Sequence, residues 1–278
     1  VLPPPMAGFF EFSLMRVRED LDQRVLSELF HQYLTVEDDF VRDLFAAGET
    51  KLGRAFVAEP VLSTTNVLHV LDYERASHVI DTAHAIAVGM CYCRHKMDHM
   101  GRACDAPMDI CLTLNNSAAS LVHHGHARGI DAAEAHDILA QARDHGLIQF
   151  GENGKTKVNF ICNCCGCCCE ALLAHKRFTE LRCIHTSPFL PVVDAGDCTG
   201  CGACVRACHV DAIEVVDKLA RIDQQRCLGC GVCLRACKLD ALSLEARPER
   251  VLTPVDGIER AVWMAIERGK LQHLIFDD

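Results

Sequence analysis

Eight of the chain's cysteines fall in two matching sets, and these constrain the fold more than any other feature. The first set is Cys198, Cys201, Cys204 and Cys208, and the second is Cys227, Cys230, Cys233 and Cys237. Each has the spacing C-x2-C-x2-C-x3-C. DCTGCGACVRACHVDAIEV aligns without a gap on RCLGCGVCLRACKLDALSL, 29 residues further on. Self-similarity of this kind predicts two quasi-equivalent halves. Three thiols of a set sit on one tight loop and reach three corners of a polynuclear metal centre; the fourth corner comes from elsewhere. Gly200, Gly202, Gly229 and Gly231 let the loops turn and bring backbone N–H groups near the sulfurs. Two zinc sites are the competing reading. Zinc sites pair C-x2-C knuckles from separate segments, whereas here runs of three cysteines repeat.

The two sets resemble those of bacterial two-cluster ferredoxins. That resemblance implies a ferredoxin-like domain, two 4Fe–4S clusters and one-electron transfer. It also implies crossed ligation, because in that family the fourth cysteine of each motif serves the other cluster. Cys198, Cys201, Cys204 and Cys237 would then hold one cluster, and Cys227, Cys230, Cys233 and Cys208 the other. The sequence departs from the family where Pro usually follows the fourth cysteine: His209 and Lys238 stand there. The ligand spacing is untouched. Lys238, and His209 if protonated, are expected to favour the electron-rich state; the alternative is that both point to solvent.

Eleven further cysteines precede this stretch. CYCRHKMDHMGRACDAPMDICLTLN carries Cys91, Cys93, Cys104 and Cys111, four thiols within 21 residues. They are expected to ligate one metal centre, a further 4Fe–4S cluster rather than zinc or unligated thiols. Arg94, His95, Lys96 and Arg102 place positive charge nearby, which lowers thiol pKa. ICNCCGCCCE carries Cys162, Cys164, Cys165, Cys167, Cys168 and Cys169, followed by Cys183. Cys162 and Cys164 face one way if the run is extended. This run shares ligands with the first group or serves two centres; spare thiols, a redox-active disulfide and zinc are alternatives. His123, His124 and His126 lack a paired ligand spacing and read as an exposed helix end, with metal binding as the alternative.

As a whole the arrangement resembles bacterial and archaeal proteins labelled 4Fe–4S dicluster ferredoxin-type proteins. They carry a Cys-x-Cys-Arg segment and an NCCxCCC-like segment ahead of the ferredoxin motifs, and the resemblance covers roughly residues 70–245. It implies electron transfer and little more for the N-terminal part.

The fold class expected is α+β, in three parts. Residues 1–190 form a helical, winged-helix-like Cys-rich domain with additional iron–sulfur sites. Residues 191–246 form the two-cluster domain, and 247–278 a linker and amphipathic helix. Prolines at 3–5 favour an extended tail over 1–12. A helix near 21–34 would bury Leu26, Leu29, Phe30, Tyr33 and Leu34, with Thr35 capping a second helix that stops at Gly48. Asp72 would cap a helix over 73–84. Asp131 and Glu134 mark a helix start, Ala135, Ile138, Leu139 and Ala142 its apolar stripe, and Gly146 its end. LIQF and KVNFI flank GENGKT as a hairpin. A helix over 258–275 would turn Ile258, Val262, Trp263, Ala265 and Ile266 inward and covers this chain or docks a partner subunit.

The formal charge of −10 disfavours nucleic acid and anionic membranes and suits a partner with a basic patch. No apolar run approaches the ~20 residues of a spanning helix, and the start has no secretory signal. Clustered thiols point to a reducing compartment, the cytoplasm. There is no dinucleotide fingerprint, P-loop or Ser-His-Asp arrangement. The expected function is an iron–sulfur electron-transfer subunit serving an oxidoreductase, as in anaerobic metabolism. Two alternatives stand beside it: an enzyme with a catalytic cluster at Cys162–Cys169, and a redox-sensing regulator.

Overall fold

The computed structural model describes residues 18, 20–46, 48–178 and 182–272. The extended tail expected over 1–12 and the last residues of the expected C-terminal helix lie outside them.

The Cys-rich part is built on a sheet, where mainly helix was expected. Strands β1 (Gly53–Ala55), β2 (Ile86–Met90), β3 (Asp109–Leu114), β4 (Arg128–Ile130), β5 (Ile148–Glu152) and β6 (Phe160–Cys164) form it. All neighbours are antiparallel, in the order β1-β5-β6-β3-β2-β4. In β3 the alternation is clear: Ile110, Leu112 and Leu114 are buried, while Asp109, Cys111 and Thr113 face the other way. The strands are short and carry cysteine at core positions, so their period-two pattern is easily missed.

Helices of eight residues or more are α1 (Gln23–Thr35), α2 (Tyr92–His99), α3 (Asn115–His123), α4 (Ala132–Asp144), α5 (Glu170–Arg177) and α6 (Gly257–Glu267). In α4 the Asp131 carboxylate accepts the Glu134 N–H at 2.8 Å, and Ala135, Ile138, Leu139 and Ala142 are buried. Gly146 follows at φ +68°, as a helix-ending glycine does. The hairpin expected after it is present, with both strands inside the six-stranded sheet.

Other boundaries differ. Thr35 does not cap a second helix; its hydroxyl donates to the His31 carbonyl at 2.7 Å, inside the last turn of α1. The second helix is only Asp38–Val41, followed by a π-turn over Arg42–Ala46. In α1 the buried positions are Ser27 and Phe30, while Leu29 and Tyr33 are exposed. A 3-10 turn (Asp72–Glu74) and a short helix (Ala76–Asp81) replace the helix expected over 73–84.

In the C-terminal half, β7 (Phe189–Val193) pairs with β10 (Leu242–Ala246), and β8 (Ile213–Val216) with β9 (Leu219–Ile222). Strand β7 runs across the domain boundary expected between residues 190 and 191. An apolar cluster joins Val41, Ile148 and Leu172 to Val210, Leu228 and Val232, so the Cys-rich part and the cysteine repeat share a core. Helix α6 packs back on the first sheet through polar contacts. Asp256 caps it, Arg260 donates to Glu152 at 2.6 Å, and Thr50 donates to Glu267 at 2.9 and 2.6 Å. Ile258 and Ile266, expected inward, are 70% and 55% exposed, because those polar contacts set the helix's rotation.

His185 locks the entry to the C-terminal half against β1. Its Nε2 accepts the Lys51 N–H at 3.2 Å. Burial, reinforced by Arg54 and Lys51, pushes its pKa down to about 3. A depressed folded-state pKa means the unfolded chain takes the proton first. Its stability contribution is therefore present above about 6.5 and is lost as pH falls toward about 3. Urea unfolding of wild type between pH 7 and pH 5 should weaken more steeply than that of His185→Gln. Equal slopes would remove His185 from the acid response.

Candidate metal centres

The repeat forms two loops, each leading into a short helix. Gly202 (φ +72°) precedes Ala203–Ala207, and Gly231 (φ +80°) precedes Val232–Ala236. Both conformations are left-handed, which favours glycine. At Gly229 a Cβ would lie 2.1 Å from the Phe189 carbonyl oxygen, so a side chain has no room.

Cys198, Cys201 and Cys204 of the first motif line one apolar cavity together with Cys237 of the second. Cys208 stands with Cys227, Cys230 and Cys233. Burial pushes the Cys230 thiol up to about 12, and neighbouring Cys227 and Cys208 add to the rise. Burial raises Cys233 too, again with Cys230, Cys227 and Cys208 adding. Four thiols from both halves thus surround each position. Backbone donors reach sulfur as well: Ala212 N–H to Cys208 at 3.3 Å and Gly229 N–H to Cys227 at 3.4 Å. Donors of this kind stabilise negative charge on thiolate. The arrangement fits a 4Fe–4S cluster in each half.

The N-terminal thiols do not group as they do in sequence. On the sheet, β3 pairs with β6 through Leu112–Ile161 and Thr113–Phe160, which puts Cys111 beside Cys162. Cys164 lies two residues on, on the same face. Thiol–thiol hydrogen bonds then run Cys91–Cys111–Cys162–Cys164–Cys169–Cys93. Cys91 is the N-cap of α2 and Cys169 the N-cap of α5, so two helix N-termini face this string. Bonds from Cys111 and Cys164 hold Cys162 down to about 6 against burial. Bonds from Cys164 and Cys93, helped by the Leu172 and Ala171 N–H groups, hold Cys169 well below its ordinary value. Cys91 is raised, by its bond to Cys111 and then by burial. From Cys162 to Cys93, lowered and raised thiols follow one another along the string.

A second group is tighter. Cys104, from the loop between α2 and β3, meets Cys165, Cys167 and Cys168 on the turn after β6, with all four sulfurs within 4.8 Å of one another. The Cys104–Cys165 separation is 3.5 Å, Cys104–Cys168 3.9 Å and Cys167–Cys168 3.7 Å. Bonds from Cys168, then Cys167 and Cys104, hold Cys165 down to about 3 against burial, with Arg94 adding. Cys167 is the exposed member of the group. Sequence proximity put Cys104 with Cys91, Cys93 and Cys111; the loop through Gly101 carries it instead to Cys165. The usable signal was the alternation in DICLTL and FICNC, which aligns Cys111 with Cys162.

The basic residues also divide. Arg94 is 1% exposed, donates to Cys104 and Cys165 at 3.5 and 3.7 Å, and donates to the Pro107 carbonyl at 2.5 Å. Lys96 instead pairs with Glu170 at 2.9 Å, both buried. His95 meets His99, and Arg102 reaches His31. Cys183 is buried in the shared core, 4.0 Å from the Phe178 carbonyl. His123 and His124 are exposed at the end of α3 and His126 lies just beyond, half-buried.

His209, which sequence reading placed as a cation near the cluster or in solvent, is a link between the two halves. Its Nδ1 accepts the Gly166 N–H at 3.2 Å, so its Nε2–H donates to the Gly146 carbonyl at 2.7 Å. Lys238 is exposed.

No curated protein and no solved structure matches the chain. Residues 197–241 match a family model described as a 4Fe-4S dicluster domain. Those residues carry all eight cysteines of the repeat. The chain therefore contains a ferredoxin-type 4Fe–4S domain and is an iron–sulfur protein.

Proposed function

We propose that this protein relays single electrons to or from an oxidoreductase partner. Cys198, Cys201, Cys204 and Cys237 hold one 4Fe–4S cluster, and Cys227, Cys230, Cys233 and Cys208 the other. A further iron–sulfur centre rests on the string Cys91, Cys93, Cys111, Cys162, Cys164 and Cys169. Each bound cluster supplies a one-electron couple. The chain's own residues do the rest. Thiolates hold the iron, the Ala212 and Gly229 N–H groups offset charge at sulfur, and Val193, Ala241 and Leu242 wall out water. Residues up to 190 serve the further centre, 191–246 the paired clusters, and the arm from 247 fastens back on the sheet.

Cys201 is exposed, which marks its loop as the side where a partner approaches most closely. An acidic chain of charge −10 suits a partner with a basic docking face. The exposed Ile258 and Ile266 on α6 offer such a protein an apolar contact. Among the described residues no helix is long and apolar enough to cross a membrane.

The observation that carries the reading is Cys237 in the cavity of the first motif. It is tested by EPR of anaerobically purified cysteine variants. Cys237→Ser should alter the same cluster signal as Cys201→Ser, with a loss of up to about four irons. Cys208→Ser should alter the signal that Cys230→Ser alters. If Cys237→Ser instead tracks Cys230→Ser, the ligand sets are not crossed. If wild type holds no iron or sulfide, the relay fails altogether.

A further inference from the structure

The four-thiol group formed by Cys104, Cys165, Cys167 and Cys168 has different dimensions from the other centres. Thiolates that share one tetrahedral zinc at a metal–sulfur distance of about 2.3 Å stand about 3.8 Å from one another. The measured separations are 3.5, 3.7 and 3.9 Å, and none of the four sulfurs is more than 4.8 Å from another. A cubane distributes its thiolates over separate irons at separate corners, so they stand farther apart. The chain supplies its own control. Among the described residues this is the only set of three or more possible ligands drawn within that limit, so no three thiols of the ferredoxin-type repeat approach so closely.

The surroundings match as well. Four thiolates around a divalent ion carry a net charge of about −2. Arg94, 1% exposed, donates Nε–H to Cys104 and Nη2–H to Cys165, so a buried cation contacts two of the four sulfurs. Its third contact, to the Pro107 carbonyl, fixes the guanidinium by the loop that carries Cys104. Outer contacts of this kind orient metal ligands and tune their charge. The group also spans the chain: Cys104 and Cys165 are 61 residues apart, and a metal clip closing so long a loop restricts the unfolded chain.

We propose that Cys104, Cys165, Cys167 and Cys168 bind a single zinc ion in a tetrahedral, all-thiolate structural site, separate from the iron–sulfur centres. The ion fastens the loop between α2 and β3 to the turn after β6. It holds no electron, and its four ligands leave no position open for substrate. In this arrangement the cysteine run divides its work. Cys162, Cys164 and Cys169 face the redox string, and the three cysteines between them and around Gly166 hold the clip.

The test is metal and sulfide analysis of the full chain purified without oxygen. Wild type should hold about one zinc per chain beside its iron. Cys167→Ser/Cys168→Ser should lose the zinc, with iron and sulfide unchanged. Protein made with cobalt in place of zinc should show thiolate-to-cobalt charge-transfer absorption, absent from the double variant. Arg94→Gln should retain zinc 10–100-fold less well against a chelator. Wild type without zinc or cobalt binding overturns the proposal, and that result stands whether or not the variants fold. So does a double variant that loses about four irons and four sulfides, since the site is then a cubane. These outcomes are separate from the relay reading, which fails by loss of iron and sulfide from wild type whatever the zinc content.

Discussion

Lys96→Met should lower the unfolding free energy by about 3–5 kcal/mol, while Lys96→Met/Glu170→Met should recover most of that loss. The pair is nearly inaccessible, with side-chain exposures of 0% and 3% and a separation of 2.9 Å. It ties α2 to α5, the two helices whose N-caps are Cys91 and Cys169. Removing the ammonium leaves the Glu170 carboxylate buried beside a string of thiols. Burial already raises the Glu170 pKa, and only Lys96 works strongly against it. Among the described residues its Oε2 has no hydrogen-bond partner, so the carboxylate has little else to rely on. Lys96 also lies 5.3 Å from the Phe30 ring centroid, which brings α1 into the same contact. Replacing both partners by apolar side chains removes the isolated charge, which is why the double variant is expected to recover. Anaerobic urea unfolding, followed by circular dichroism and visible absorption together, measures both effects. A single variant within about 1 kcal/mol of wild type would show that water or a proton already neutralises the site.

The contrast between what the chain spells out and what it conceals is physical. The cysteines of the repeat are local: three thiols lie within seven residues, and the spacing itself makes the loop. Helix α4 was legible for the same reason, since its cap, stripe and terminal glycine are all local signals. The N-terminal thiols depend on strand pairing. Cys111 and Cys162 are 51 positions apart in the chain and become neighbours only through the β3–β6 register. Cys104 is harder still, because a loop carries it away from the three cysteines closest to it in sequence. Nor does any local pattern announce that Lys96 will bury itself against Glu170 while Arg94, two residues earlier, faces sulfur. In α6 the apolar stripe suggested one rotation, and ion pairs to Glu152 and hydrogen bonds from Thr50 impose another.

Gly166→Ala should separate the cysteine turn from the ferredoxin-type domain. A Cβ at this glycine would lie 2.1 Å from the His209 carbonyl oxygen and 2.9 Å from two further backbone atoms of that residue. No side-chain rotation relieves a contact with backbone, so one of the two segments must move. Overpacking alone costs about 1–3 kcal/mol. The movement also breaks the Gly166 N–H to His209 Nδ1 bond, a further loss of about 1 kcal/mol. The consequence reaches beyond stability, because Gly166 lies between Cys165 and Cys167, and His209 directly follows Cys208. The two residues join the turn that carries Cys165 and Cys167 to the segment that carries Cys208 through one hydrogen bond. His209→Pro separates this link from general damage. It installs the residue usual in two-cluster ferredoxins, keeps Cys208 in place, and deletes both imidazole hydrogen bonds. Iron bound by the repeat should stay at about eight per chain in both variants. Amide exchange at residue 166 should accelerate, and electron exchange between the N-terminal centre and the repeat, measured after flash reduction, should slow. Unchanged exchange and unchanged transfer in His209→Pro would mean that the contact is packing alone and that electrons leave the Cys-rich part by another route.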